Sequence, residues 1–378
     1  MTQGRSILFL GATGYIGSTA LDRIAKADPN ASITIYGRNP KVLKGFEEVD
    51  ARFKGVQGTL EEHDKLTALA ASHDVTVNCA DADSIDAIRA LLRGLKQRHA
   101  ETGTPPVFIH TSGTGVLSDN AEGEFAGDKI YTDAGAEPSK LPPWLPISAL
   151  SHDALHRDVD LEIEAADREG YALTYIVLPS TIYGIVSHVF ADRGLSNPQS
   201  QQVPHLTRWS IDRRAGAVIG AGANLWPNVH IDDTGDLFAL VYGLAIRGGD
   251  HGADGYFFAE SGEHTLKQVG DAIGAALYAK GLADTPEART LTGAELDKYA
   301  GGSKYLGGNS RARGVHSRAI GWKPTHGLDD FLKEIATDVE WTLAHDRGKG
   351  ADGNWVFGPG PIRVGDGWRM PEGDDRMK

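Results

Sequence analysis

Cys79 is the only cysteine in 378 residues. One thiol permits no intrachain disulfide and no cysteine-built zinc site, so a reducing, cytoplasmic setting is expected. Long apolar runs are also missing. Stretches such as Ile7–Leu10 and Tyr175–Pro179 fall far short of the roughly 20 residues a membrane helix needs. No charged leader followed by an apolar segment is read near Met1. Basic residues are in deficit: 38 Lys and Arg against 51 Asp and Glu leave a net charge of −13. That balance disfavours a polyanionic partner such as nucleic acid. What remains is an ordinary globular composition, 40% apolar and 24% charged, in a chain longer than one small domain needs.

Strand and helix patterns alternate through the first half. Ser6–Leu10, Ile33–Tyr36, Val75–Cys79, Val107–Thr111 and Thr174–Leu178 read as short buried strands. Helical spacing is read over Tyr15 to about Ala27, over Ser84–His99, and from about His152 to Glu169. In the last of these Leu155, Val159, Ile163 and Ala166 form the apolar stripe. Such repetition predicts an α/β fold with a doubly wound parallel sheet. Residues 185–226 show few regular patterns and read as an irregular, ligand-facing segment, with Arg208 and Trp209 candidates for the wall of a substrate pocket or for loop packing. Helices resume at Thr234–Ile246 and Leu266–Lys280, with a strand at Gly255–Ala259 between them. These patterns place a dinucleotide-binding domain at 1–184, with 228–250 returning to it. A smaller C-terminal lobe comprises 185–227 and 251–345, and a Gly/Asp-rich tail covers 346–378. Trp355, Phe357 and Trp368 suggest that the tail docks onto the body or a partner.

The strongest local signal is Gly11-Ala-Thr13-Gly14-Tyr15-Ile16-Gly17, set between a buried strand and an amphipathic helix. Gly11 permits the turn, Gly14 lets a diphosphate approach the backbone, and Gly17 lets the helix pack on the sheet. The N–H groups of the helix start then hold the anion. The second strand ends Tyr36-Gly37-Arg38 without the carboxylate that would take a ribose 2′-hydroxyl. Arg38 suits a 2′-phosphate, so NADP(H) is expected in preference to NAD(H).

The chain resembles the extended or atypical short-chain dehydrogenase/reductase superfamily, in its epimerase/dehydratase-like or regulator-like branch. The motifs are Gly11–Gly17, Val77-Asn78-Cys79-Ala80, Phe108-Ile-His-Thr111-Ser112-Gly113 and Leu178-Pro179-Ser-Thr181-Ile182-Tyr-Gly184. Val229–Asp233 and Ile320–Pro324 extend the likeness to about residue 340. It implies cofactor contacts at Cys79, Ala80, Thr111, Pro179, Thr181 and Ile182. It also implies a Tyr-x-x-x-Lys pair with a nearby Ser or Thr, and no such pair occurs between residues 112 and 178. The corresponding helical turn is placed at His152–His156, and the expected Ser falls at Gly113, flanked by Ser112 and Thr114.

His152 and His156, spaced i, i+4, are the candidate proton donors; the alternative is a solvated His152 and a capping His156. Tyr131 is the second candidate, or a packed loop tyrosine. Tyr183, His110 and the His230-Ile-Asp232-Asp233 turn read as structural, the last capping the following helix. No metal site is expected, Asp153 and Asp160 being the only candidate third ligands beside the two histidines. The expectation is an NADPH-dependent reductase of a small carbonyl or conjugated, aromatic or polyketide-like substrate. Alternatives are a same-fold epimerase, dehydratase or isomerase, and a non-catalytic NADP-binding regulator. A homodimer is also possible.

Overall fold

The computed structural model describes residues 4–134 and 144–345; the tail expected to dock lies outside them. Side chains of β1 (Ser6–Leu10) alternate between two cores, Ile7 and Phe9 to one face, Leu8 and Leu10 to the other. That two-sided burial explains the unbroken apolar run. The chain continues through α1 (Tyr15–Ala27), β2 (Ser32–Gly37), α2 (Pro40–Val49), β3 (Phe53–Gln57), α3 (His63–Ala71) and β4 (Val75–Asn78). Then follow α4 (Ile85–Thr102), β5 (Val107–Thr111), α5 (Arg157–Arg168) and the strand Leu173–Pro179. Elements β3, α2 and α3 had no clear sequence signal, because Phe53-Lys-Gly-Val-Gln57 is a half-exposed edge strand with little apolar content.

Seven parallel strands form the main sheet, in the order Tyr256–Ala259, Leu173–Pro179, β5, β4, β1, β2, β3. Strand order reverses between β1 and β4, which opens a crevice beyond their carboxyl ends. Tyr256–Ala259, assigned to the smaller lobe from sequence, is instead the edge strand of the main sheet, with all four residues buried. Helix Ile231–Ala245 packs on α1, placing Leu237, Phe238 and Val241 with Leu21 and Ile24.

A third core belongs to the smaller lobe, around Tyr183, Leu206, Trp209, Phe331 and Ile335. Its sheet joins Thr181–Tyr183, Leu225–His230 and Gly262–Thr265. Residues 185–226 are more regular than expected. Val189–Asp192 and Gln202–Arg213 are helical, and Trp209 stacks on Tyr299 with ring centroids 5.9 Å apart. Trp209 therefore packs in the lobe's core, while Arg208 is half-buried on the same helix. Among the described residues no helix is long and apolar enough to cross a membrane.

Candidate active site

The glycine turn closes over the end of β1. Gly11 has φ +85°, and a Cβ there would lie 2.3 Å from the Cys79 carbonyl oxygen. A Cβ on Gly17 would lie 2.1 Å from the Gly11 carbonyl oxygen, so the first turn of α1 rests directly on the strand end. Gly14 caps α1 with no side chain, and no acidic residue sits in the first turn. The leading N–H groups and the positive end of the helix are thus left for an outside anion. The only atom within 4 Å of a Cβ built on Gly14 is the Gly11 oxygen, at 3.3 Å, which leaves room for a diphosphate. The lobe holds this turn in place: Asn197 N–H donates to the Thr13 carbonyl (2.9 Å), and the Tyr15 hydroxyl to the Gly184 carbonyl (2.6 Å). Ile16 is half-buried in a small apolar cluster with Tyr15, Val186 and Ile231.

At the end of β2 the Arg38 guanidinium is exposed and makes no hydrogen bond or ion pair among the described residues, whereas the Arg38 carbonyl accepts from Gln57. Tyr36 turns its hydroxyl to the Thr59 carbonyl (2.7 Å). On the other side of β1 the crevice is bordered by half-buried Cys79, exposed Ala80 and buried Thr111, Pro179 and Thr181. Thr111 donates to Cys79 Sγ (3.2 Å), and burial pushes that thiol up to about 12, so it is an inert neutral group. Thr181 donates to Gln202 Oε1 (3.1 Å), and Ile182 pairs with Val229 in the lobe's sheet.

The two histidines do not share a helical face. Residues 151–156 form turns, His156 adopts φ +65° as the N-cap, and α5 begins only at Arg157. A left-handed residue cannot continue a right-handed helix, so the apolar stripe read back to Leu155 stops one turn short. His152 is exposed. His156 is half-buried, and its Nδ1 lies 2.5 Å from Asp83 Oδ1, contributed by the β4–α4 loop. Its Nε2 points inward: a Cβ on Gly113 would sit 3.8 Å from that nitrogen and 3.8 Å from the Pro179 carbonyl oxygen. One histidine nitrogen is thus oriented by a carboxylate while the other faces the ends of β5 and Leu173–Pro179.

Behind it lie Ser112 and Asp160, a buried pair with Ser112 Oγ 3.1 Å from Asp160 Oδ2. Burial raises the Asp160 carboxyl to about 7 against the pull of His156, Ser112 and Arg157. His110 is fully buried, with Nδ1 3.1 Å from Asn78 Nδ2 and Nε2 unpartnered; burial and the neighbouring His156 lower it to about 3, keeping it neutral. Thr114 is buried in the 3₁₀ turn Thr114–Leu117, its hydroxyl unpartnered.

A cavity of about 590 Å³ opens beside this cluster, lined among others by Gly115, Leu117, Tyr131, Leu155, Tyr305 and Asn309. Tyr131 lies on a two-residue strand between Leu145–Pro146 and Ala312–Arg313, not in a loop. Burial and Asp119 raise its phenol. Tyr305, which sequence reasoning missed, packs its hydroxyl against Gly115, where a Cβ would come within 2.2 Å. Burial and the charge of Asp83 push that phenol well above the usual tyrosine range. Tyr183 donates to the Gly327 carbonyl (3.1 Å). His230 caps Ile231–Ala245 by accepting from Asp232 N–H, and buried Asp233 binds Thr325 and His326. The described residues contain no cluster of three or more metal-ligating side chains.

Fold and site together define a dinucleotide-binding Rossmann protein with a second lobe bordering the nucleotide crevice. Residues 7–91 match the saccharopine dehydrogenase NADP binding domain family. Oxidase ucsJ of an Acremonium species is 27% identical over 352 residues, 89% of this chain and 97% of that protein. An uncharacterized protein of Schizosaccharomyces pombe is 26% identical over 349 residues, 88% and 99% of the two chains. Among solved structures, the dTDP-glucose 4,6-dehydratase DesIV of Streptomyces venezuelae, with NAD and TYD bound, superposes with a TM-score of 0.62 at 17% identity, covering 90% of this chain and 97% of that one. The UDP-glucose 4-epimerase of Thermotoga maritima gives 0.57 at 16% identity, covering 89% and 99%. The chain has the fold of this dehydratase and this epimerase, as the resemblance read from its motifs implied.

Proposed function

We propose that the protein is an NADP(H)-dependent oxidoreductase of a small carbonyl or conjugated substrate, with the Asp83–His156 pair as its acid–base group. The observation that carries this reading is the orientation of His156, with Nδ1 on a carboxylate and Nε2 facing the strand ends where a nicotinamide would lie. When bound, the dihydronicotinamide supplies the hydride. The first turn of α1 binds the diphosphate, and exposed Arg38 binds the 2′-phosphate. The NADP-binding family match over residues 7–91 supports that choice of nucleotide.

Asp83 accepts a hydrogen bond from Nδ1–H and stabilises the imidazolium, whose Nε2–H is donated to the substrate oxygen as negative charge develops there. In the opposite direction the neutral ring presents the Nε2 lone pair and takes the proton of an alcohol, a direction in keeping with the relative named as an oxidase. The neighbouring cavity holds the rest of the substrate between Tyr131 and Tyr305.

The test is purified protein with NADPH and a panel of aromatic and conjugated carbonyls, followed by nicotinamide absorbance. His156→Ala is expected to lower turnover by about 10²–10⁴-fold and to leave the NADPH dissociation constant within about twofold. NADPH binding without turnover would favour a regulator, and product without nicotinamide consumption an epimerase, dehydratase or isomerase. Full activity of His156→Ala would remove this histidine from the reaction.

A further inference from the structure

Asp160 occupies a position where a charged carboxylate has almost no support. It is fully buried, its Oδ2 has one partner in Ser112, and its Oδ1 has none. The adjacent cation, Arg157, directs its guanidinium elsewhere, to the Tyr256 hydroxyl (2.8 Å) and towards Glu164 (3.9 Å). An ionised carboxylate removed from water needs several donors or a paired cation, and Asp160 has neither. Ser112 is constrained as well. Its N–H donates to the Val177 carbonyl (2.9 Å), which fixes the backbone and leaves the hydroxyl as its one adjustable group.

We propose that Asp160 is a neutral carboxylic acid whose O–H donates to Ser112 Oγ, freeing the Ser112 hydroxyl hydrogen for the substrate oxygen beside His156. Ser112 is then a second hydrogen-bond donor of the site, and Asp160 is the positioning residue that sets its direction. The alternative charge state reverses the bond. Ionised Asp160 takes the Ser112 hydrogen for itself, and Ser112 offers the site only lone pairs. This inference rests on the oxidoreductase reading for its substrate but not for its protonation state. The groups facing Asp160 act in both directions. His156 and Arg157 favour the charged form, Asp158 on α5 opposes it, and burial outweighs them and raises the group to about 7. From the edge strand, Tyr256 feels the Asp160 charge; from β5, His110 is coupled to His156, and Asp83 faces His156 from the β4–α4 loop.

Two measurements on the full chain separate the possibilities. Carboxyl-region infrared difference spectra of wild type against Asp160→Asn read the protonation state without any turnover. A protonated carboxyl band at pH 6 that vanishes near or above neutrality is expected, and an Asp160 already ionised at pH 5 overturns the proposal. In the carbonyl assay Ser112→Ala is expected to lose about 10²-fold in kcat. Asp160→Asn, whose amide also donates to Ser112, is expected to retain kcat within about fivefold at pH 6 and to fall less steeply than wild type at alkaline pH, where only loss of the acid His156 remains. Asp160→Asn that stays folded but falls as steeply as wild type at alkaline pH also overturns it. Failure of wild type to consume NADPH would instead defeat the oxidoreductase reading and leave the infrared result intact.

Discussion

Removing the carboxylate behind His156 tests the site most directly. Asp83 Oδ1 lies 2.5 Å from His156 Nδ1, with side-chain exposures of 30% and 16%. A hydrogen bond to a charged partner contributes about 1.5–3 kcal/mol, and partial contact with water places this one at the lower end. A loss of about 1.5 kcal/mol is about tenfold in rate. Asp83→Ala should therefore reduce kcat by about tenfold in both directions of the reaction, with the NADPH dissociation constant unchanged. Asp83→Asn should separate the directions. A carboxamide N–H can donate to Nδ1, which moves the ring proton of neutral His156 to Nε2 and blocks it as a base. Alcohol oxidation should then fall by about 10²-fold, well beyond the loss in carbonyl reduction. Steady-state kinetics in both directions and calorimetric titration with NADPH give all the quantities. If both variants stay within twofold of wild type, or if the loss falls on nucleotide binding rather than kcat, the assignment of Asp83 and His156 is wrong.

The other predictions concern the nucleotide site and the lobe. Arg38→Ala should weaken NADPH by about tenfold and leave NADH unaffected; equal effects on both dissociation constants would refute the 2′-phosphate contact. Gly17→Ala places a methyl 2.1 Å from a backbone oxygen, so α1 must shift. NADPH affinity should fall by at least about 10²-fold by calorimetry, and wild-type affinity would show that the turn does not bind the diphosphate. Asp338, buried on Leu328–His345 with Oδ2 unpartnered, is raised to about 7 by burial. Its folded state binds the proton more tightly than the unfolded chain, so its contribution to stability declines as pH rises from about 4 towards neutrality. Asp338→Asn should accordingly raise the thermal midpoint at pH 8 and give no gain at pH 4, and a gain independent of pH would count against the protonation argument.

Local chemistry marked the inner strands of the main sheet and the glycine turn in the sequence, though not β3, α2 or α3. Short apolar runs in βα alternation read as strands buried between helices, and Gly11 and Gly17 mark a turn whose backbone approaches Cys79 and the strand end too closely for a Cβ. The acid–base cluster required the folded chain. Asp83 and His156 are 73 residues apart, and Ser112 and Asp160 are 48 apart. No periodicity links such pairs, and they meet because β4 and β5 end, and α5 begins, at the same edge of the sheet. Asp160 flanks the apolar stripe of Val159 and Ile163, and only the structure shows that it is buried with them. Helical spacing placed His152 and His156 together because it cannot register a single left-handed residue, and φ +65° at His156 separates them. Sequence therefore determined the scaffold, whose forces are local and repeat along the chain. Tertiary structure decided which side chains share the crevice, because only closure of the sheet brings distant loops within hydrogen-bonding distance.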